Sequence, residues 1–245
     1  MIDFKFAWRG FKTRHRDQVQ ELQAIRLALR DGGVSIDIGS NKGSYLYSMA
    51  RWAKEAPVIA FEPQKKLADY LISACRRSGF SNVTVENLAL SDKEGELQLF
   101  IPGSSDSPGA SLESSVAEKT DCHVETVRVT RLDKYLVGAL RQPVRVIKID
   151  VEGHEMAVIK GAMQTLEHDR PLLIIECEGR HLPKGQSVAG FVAELQAMGY
   201  SASLARPGLS ELPASSFRQE LHQPQLGDRF WDAKNYYNNF IFRPL

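Results

Sequence analysis

Residues 34–43 read VSIDIGSNKG, and this stretch narrows the fold further than any other in the chain. Val34, Ile36 and Ile38 make a β-branched run that suits a parallel strand buried on both faces, interrupted by the acid Asp37. A turn through Gly39, Asn41 and Gly43 follows, and then Tyr45, Leu46, Met49, Ala50 and Ala53 at helical spacing. Strand, glycine turn and helix in succession form the first unit of a Rossmann-like domain. In such a unit the glycines let the backbone approach a ligand at the strand's carboxyl end.

The pattern continues. Residues 57–61, 82–86, 144–149 and 171–175 are short apolar runs that read as buried strands, and helical faces separate them. Leu67, Tyr70, Leu71, Ala74 and Cys75 form one such face; Val188, Phe191, Val192 and Leu195 form another. Leu97, Leu99 and Ile101 alternate with polar residues, as do Val124, Val127 and Val129, so a polar loop over 102–115 joins two half-buried strands. Residues 200–205 and 236–242 suit a closing antiparallel pair, whereas 206–235 are rich in Pro, Ser and Gln and show no period. The expected fold is α/β, a mostly parallel seven-stranded sheet with helices on both faces. Residues 1–33 read as an N-terminal helical extension, with a helix over 17–30, and 34–245 as one domain.

The 245 residues are 43% hydrophobic and 25% charged with net charge +1, which excludes a disordered or fibrous chain and argues against a dedicated nucleic-acid binder. Arg9, Lys12, Arg14, His15 and Arg16 still make a local basic cluster. Cys75, Cys122 and Cys177 are odd in number and follow no metal spacing, so a reducing compartment is expected and a disulfide framework is not. The opening residues lack the apolar run of a signal peptide, and no stretch could span a bilayer. A cytoplasmic location without membrane partners follows as the expectation.

Ligands in such sheets sit outside the carboxyl ends of the strands, so the strand-end residues form the candidate site. A dinucleotide fingerprint needs glycine where Asn41 stands, and Asp37 would repel a pyrophosphate at the helix N-terminus. That acid suits an ammonium- and sulfonium-bearing ligand without phosphate, which S-adenosylmethionine (SAM) is. Gly39 and Gly43 shape the turn, and Asn41 either lines it or caps the helix. Glu62, at the end of the second strand, is placed to accept both ribose hydroxyls, though a solvated turn acid would look the same. Asn87, Ala89 and Asp92 follow the third strand, where an adenine edge would be read or a plain turn made. In VIKIDVEGHE (146–155), Asp150 stands at the tip of a central strand, with Glu152 and His154 on the turn opened by Gly153, and Glu176 ends the next strand.

These segments together resemble the FkbM-type SAM-dependent methyltransferases. IDIGSNKG, FEP, NLALSD, TRLDKYL and VIKIDVEGHE occur in this order, and the similarity runs from Val34 to Glu176, weakly to NNFIF at 238–242. The resemblance implies a class I methyltransferase fold, SAM as donor and an oxygen acceptor on a sugar or other small natural product. It places the glycine loop on Asp37, Gly39, Asn41 and Gly43, the ribose acid on Glu62 and the KIDVEG signature on residues 148–153.

Transfer of a methyl group from sulfonium to an alcohol is an in-line displacement that gains from a general base. Asp150, Glu152, His154 and Glu176 are the candidates, Asp150 serving both acceptor and cofactor. The remaining histidines, His181 among them, read as structural. No Asp-x-Asp pair or His–carboxylate spacing supports a metal. The aromatic cluster Phe230, Trp231, Tyr236 and Tyr237 reads as core or dimer contact ahead of a sugar platform, which leaves a homodimer open. Two rival functions remain at this stage: an NAD-type nucleotide-binding oxidoreductase, and a non-catalytic SAM-binding scaffold.

Overall fold

The computed structural model describes residues 3–103, 109–117, 121–137, 142–183, 185–227 and 229–245. Its centre is a sheet built from β1 (Val34–Ile38), β2 (Val58–Phe61) and β3 (Val83–Glu86), continued by β7 (Val144–Ile149) and β8 (Leu172–Glu176). Between β3 and β7 lie β4 (Ala89–Leu90), β5 (Gly95–Pro102) and β6 (Cys122–Thr130); after β8 come β9 (Tyr200–Leu204), β10 (Leu212–Pro213) and β11 (Asn239–Pro244). The main sheet has the order β10-β9-β11-β8-β7-β1-β2-β3. β1, β2, β3, β7 and β8 run parallel, and β11 inserts antiparallel between β8 and β9. The expected seven strands become eight because the two-residue β10, inside the segment without a readable period, adds to the edge. β5 and β6 pair antiparallel and, with β4, make a separate three-stranded sheet.

Alternation along the central strands sends side chains to two cores. Ile36, Ile38, Ile147, Ile149, Leu173 and Ile175 face one layer, with Leu132 of α5 (Leu132–Leu136), Val158 of α6 (Glu155–Lys160), Leu166 of α7 (Met163–Asp169) and Phe191 of α8 (Val188–Ala197). Val58, Ala60, Val146 and Ile174 face the other, covered by α1 (Phe4–Lys12), α2 (Val19–Ala28), α3 (Leu46–Trp52) and α4 (Lys65–Arg77). Helices therefore occupy both faces. α1 is an element the periodicity did not disclose. Asp3 caps it by accepting from the Phe6 amide at 3.0 Å, and a π-helical turn over Thr13–Asp17 leads into α2. Phe6 is fully buried with Leu22 and Ile25 of α2 in the same core as Leu46 and Met49. Cys75 and Cys177 are buried free thiols. Among the described residues no helix is long and apolar enough to cross a membrane.

Candidate active site

The glycine turn folds as it does because two chain segments leave no room for a side chain. Gly39 has φ +75°, and a Cβ there would stand 1.8 Å from the Asp150 carbonyl oxygen. The turn thus leans directly on the end of β7. A Cβ on Gly43 would lie 2.4 Å from the Phe6 ring, and Arg9 Nη1 donates to the Lys42 carbonyl at 3.0 Å, so α1 braces the turn from behind. From the side, Glu62 Oε2 accepts from the Asn41 amide at 2.7 Å, while Oε1 accepts from the Gln64 amide at 2.9 Å. Burial pushes the Glu62 carboxyl up to about 7 against the pull of those two amides.

A cleft opens above this turn. Gly39, Asn41, Glu62, Asp150 and Val151 supply its polar edge; Phe61, Leu88, Ala89 and Leu90 its apolar wall. Leu99 of β5, with Ala110 and Leu112, roofs it from the small sheet. The cleft is partly open to solvent. Ser111, between those two roof residues, bridges to Phe100 and donates its hydroxyl to the Glu152 carbonyl at 2.6 Å. Of the loop read over 102–115, residues 104–108 lie outside the described residues.

Among the described residues, several buried polar atoms here have no hydrogen-bond partner. Asn41 Oδ1 is buried without a hydrogen bond. Asp37 is 1% exposed, and neither of its carboxylate oxygens is hydrogen-bonded, although Ser40 and the Leu46 amide lie near enough to favour its ionised form. Burial raises its pKa to about 6, and Lys148, its register partner on β7, opposes the rise. Lys148 donates to Asp150 Oδ2 at 2.9 Å and lies 5.0 Å from the Tyr45 ring centroid. Burial alone would lower the Lys148 pKa, but Asp150 and Asp37 outweigh it and raise it.

On the β7–β8 side the acids are gathered by residues distant in sequence. Glu152, at φ +52°, meets His181 Nδ1 at 2.6 Å; both side chains are largely buried. Gly153, at φ +101°, makes this possible: a Cβ there would sit 2.6 Å from the His181 carbonyl oxygen. The other ring nitrogen, Nε2, has no hydrogen-bond partner among the described residues. Asn238 Nδ2 donates to Glu176 at 2.6 Å and to Glu178 at 2.8 Å, and the Tyr236 hydroxyl donates to Glu178 at 2.9 Å. Arg180 pairs with Glu178 and stacks 4.5 Å over the Trp231 ring. Burial, with the charges of Asp150 and Glu152, holds the Glu176 carboxyl well above the usual range. Burial also raises Glu152, whereas for Glu178 the Arg180 guanidinium outweighs burial and lowers it.

The cleft thus gathers Gly39, Asn41, Glu62, Ala89 and Asp150, with Asp37 packed beneath and Gly43 turned toward α1. Glu152 and Glu176 belong to the neighbouring acid cluster. Three candidates stand elsewhere. Asn87 spends its amide on the Glu62 and Pro63 carbonyls, and Asp92 is exposed beside Ser91. His154 has both nitrogens engaged, Nδ1 with Glu113 at 2.7 Å and Nε2 with Ser91 at 2.9 Å. It fastens the roof and cannot also accept a proton at a free nitrogen. Glu178 and His181 escaped the sequence reading of the site, and Lys148 entered it only as part of the KIDVEG signature. Among the described residues no group of three His, Cys, Asp or Glu is arranged to hold a metal ion.

A parallel sheet with an antiparallel insertion after β8, and a ligand cleft at β1 and β2, define a class I methyltransferase fold. Residues 37–202 match the methyltransferase FkbM domain, and the chain belongs to that family. It is 31% identical over 160 residues to hexuronic acid methyltransferase AglP of Haloferax volcanii, covering 63% of this chain and 61% of that protein. It is 26% identical over 178 residues to 2-O-methyltransferase NoeI of Sinorhizobium fredii, covering 67% and 71%. The chain therefore spans about three fifths of the length of the first relative. Among solved structures, methyltransferase FkbM from Methylobacillus flagellatus superposes with TM-score 0.54 at 16% identity, over 86% of this chain and 44% of that one. SMU.1697c of Streptococcus mutans, in complex with SAH, gives 0.51 at 13% identity over 92% and 96%. At such identities these two report the fold.

Proposed function

We propose that this chain is a SAM-dependent O-methyltransferase acting on a hydroxyl of a sugar. The observation that carries the reading is the cleft above the glycine turn, where Glu62 is held in place by two backbone amides and Asn41 Oδ1 is left without a partner. A carboxylate so held presents lone pairs to a ribose diol, and the apolar wall of Phe61, Leu88 and Leu90 suits a purine. Asp37, buried and unpartnered, supplies a negative centre beneath the turn for an ammonium. SAM, when bound, supplies a methyl group on a sulfonium whose leaving group is a neutral thioether.

The acceptor side needs a base, and His181 is the group that fits. Glu152 Oε2 lies 2.6 Å from its Nδ1, so that carboxylate would stabilise the imidazolium formed when Nε2 takes the hydroxyl proton. Asp150, Glu176 and Glu178 surround this pair, with Arg180 the opposing cation on the same segment. One relative is named for methylation of hexuronic acid and another for 2-O-methylation, which supports a sugar as the acceptor.

Calorimetry with SAM, S-adenosylhomocysteine and NAD tests the donor; micromolar SAM binding, worth about 8 kcal/mol, is expected. Tighter binding of NAD would replace this reading with the oxidoreductase one. Methyl-label transfer to paired neutral hexoses and hexuronates tests the acceptor. SAM binding without turnover on any hydroxylated substrate would leave a scaffold.

A further inference from the structure

The outer face of α1 is apolar and belongs to no core. Phe4, Trp8 and Phe11 are 78%, 58% and 53% exposed, and their spacing puts them on one stripe of the helix. The opposite face is firmly seated: Phe6 is buried, and a Cβ on Gly10 would lie 2.4 Å from Tyr47. The helix therefore cannot roll to hide its aromatics. Trp8 and Phe11 stack on each other with centroids 5.8 Å apart, and Phe11 lies 4.5 Å from His15. A shallow groove continues the patch to Arg14, Arg51 and Trp52.

Basic residues flank the stripe. Residues 3–17 hold Lys5, Arg9, Lys12, Arg14 and Arg16 against Asp3 and Asp17, the latter paired with Lys12 at 3.8 Å and Arg16 at 2.6 Å, in a chain of net charge +1. Lys5 and Lys12 lie along one border of the stripe, and Arg14 and Arg51 along the groove on the other. Three exposed aromatics between two basic borders match an anionic lipid surface, where rings enter the headgroup boundary and cations meet the lipid charge. A second copy of the chain fits worse, because a two-fold pairing of this face would set its cations against each other. We propose that α1 is an interfacial anchor that lays the protein on an anionic bilayer without spanning it.

The full chain is mixed with vesicles of phosphatidylcholine alone or with one third phosphatidylglycerol, and bound protein is separated by flotation. Binding to the anionic vesicles, weakened by salt, is expected, together with a blue shift of tryptophan fluorescence that Trp8→Phe removes. Phe4→Ser/Phe11→Ser and, separately, Lys5→Glu/Lys12→Glu should each weaken partition about tenfold or more while leaving the SAM dissociation constant within twofold. The charge variant alters only exposed side chains and serves if the aromatic one does not fold. Failure of the unaltered protein to bind anionic vesicles at low salt overturns the proposal. So does unchanged binding by the charge variant, a dimer in sedimentation that this variant abolishes, or RNA binding through the same residues without vesicle binding. None of these outcomes touches the reading of the cleft, which SAM calorimetry decides.

Discussion

Glu62 and Glu152 both follow strands of the central sheet, yet they are held by different kinds of partner. Glu62 is satisfied by main-chain amides of Asn41 and Gln64, groups that any sequence with this turn would present. Glu152 is held by an imidazole from the loop after β8, and its neighbours Glu176 and Glu178 by Asn238 and Tyr236 from the last part of the chain. The β1–β2 side of the edge, where we place the cofactor, is thus built from local backbone geometry, and the β7–β8 side, where we place the acceptor, from side chains that only the finished fold assembles. Substitutions should separate the two: changes on the β1–β2 side alter ligand affinity and apo stability, and changes on the β7–β8 side alter turnover.

The largest effect is expected at His181. His181→Ala should lower kcat by about 10²–10⁴-fold, with SAM affinity unchanged, and abolish the low-pH limb of the pH–rate profile. Near-normal turnover would assign the base elsewhere, and parallel measurements on Asp150→Asn and Glu176→Gln would locate it. Next comes Asp37. An acid whose folded-state pKa, about 6, exceeds its ordinary 3.8 binds more protons folded than unfolded between those values. Stability contributed by the protonated form is therefore complete below about pH 4 and is lost as pH rises through about 6. Glu62 and Glu155, both raised to about 7, extend the loss upward. Denaturant titrations of the ligand-free protein should show stability falling across this window. Asp37→Asn should recover up to something on the order of 3 kcal/mol at pH 7.5 while weakening SAM binding. A variant that is no more stable, or binds SAM normally, would remove Asp37 from both roles.

A smaller change is expected for Glu62→Gln, about tenfold in SAM affinity from lost charge-assisted hydrogen bonds, read by calorimetry at pH 8. The smallest catalytic effect belongs to His154→Ala. Cutting its bonds to Ser91 and Glu113 should cost about 1–3 kcal/mol of stability and leave kcat almost untouched, as thermal melts and turnover would show together. A collapse of kcat in that variant would break the division drawn here.

Legibility follows the same line. Residues 144–149 read as a strand and are one: Val144, Val146, Ile147 and Ile149 are buried around an exposed Arg145 and a buried Lys148. The turn from Asp37 to Gly43 and the acid Glu62 were visible because their partners are backbone or lie in adjacent strands. α1 was not visible: its buried side rests on Phe6 and Gly10, too few positions for a period to declare itself. His181 was set aside because its partner, Glu152, comes from another strand end. His154 looked like a base beside the VEG turn, but Ser91 and Glu113 take both of its nitrogens. Gly39 is another instance. Sequence suggests a glycine that admits a ligand, whereas the Asp150 carbonyl oxygen already fills the place of its Cβ. A valine there would damage the fold before it tested binding.

The bracing of the glycine turn by α1 has a thermodynamic corollary. Phe6 packs on Gly43 and Arg9 holds the Lys42 carbonyl, while the other face of the same short helix carries Phe4, Trp8 and Phe11. A nine-residue helix that serves two surfaces cannot shift for one without shifting for the other. To whatever extent a contact on the outer face favours ligand binding in the cleft, filling the cleft must tighten that outer contact by the same factor.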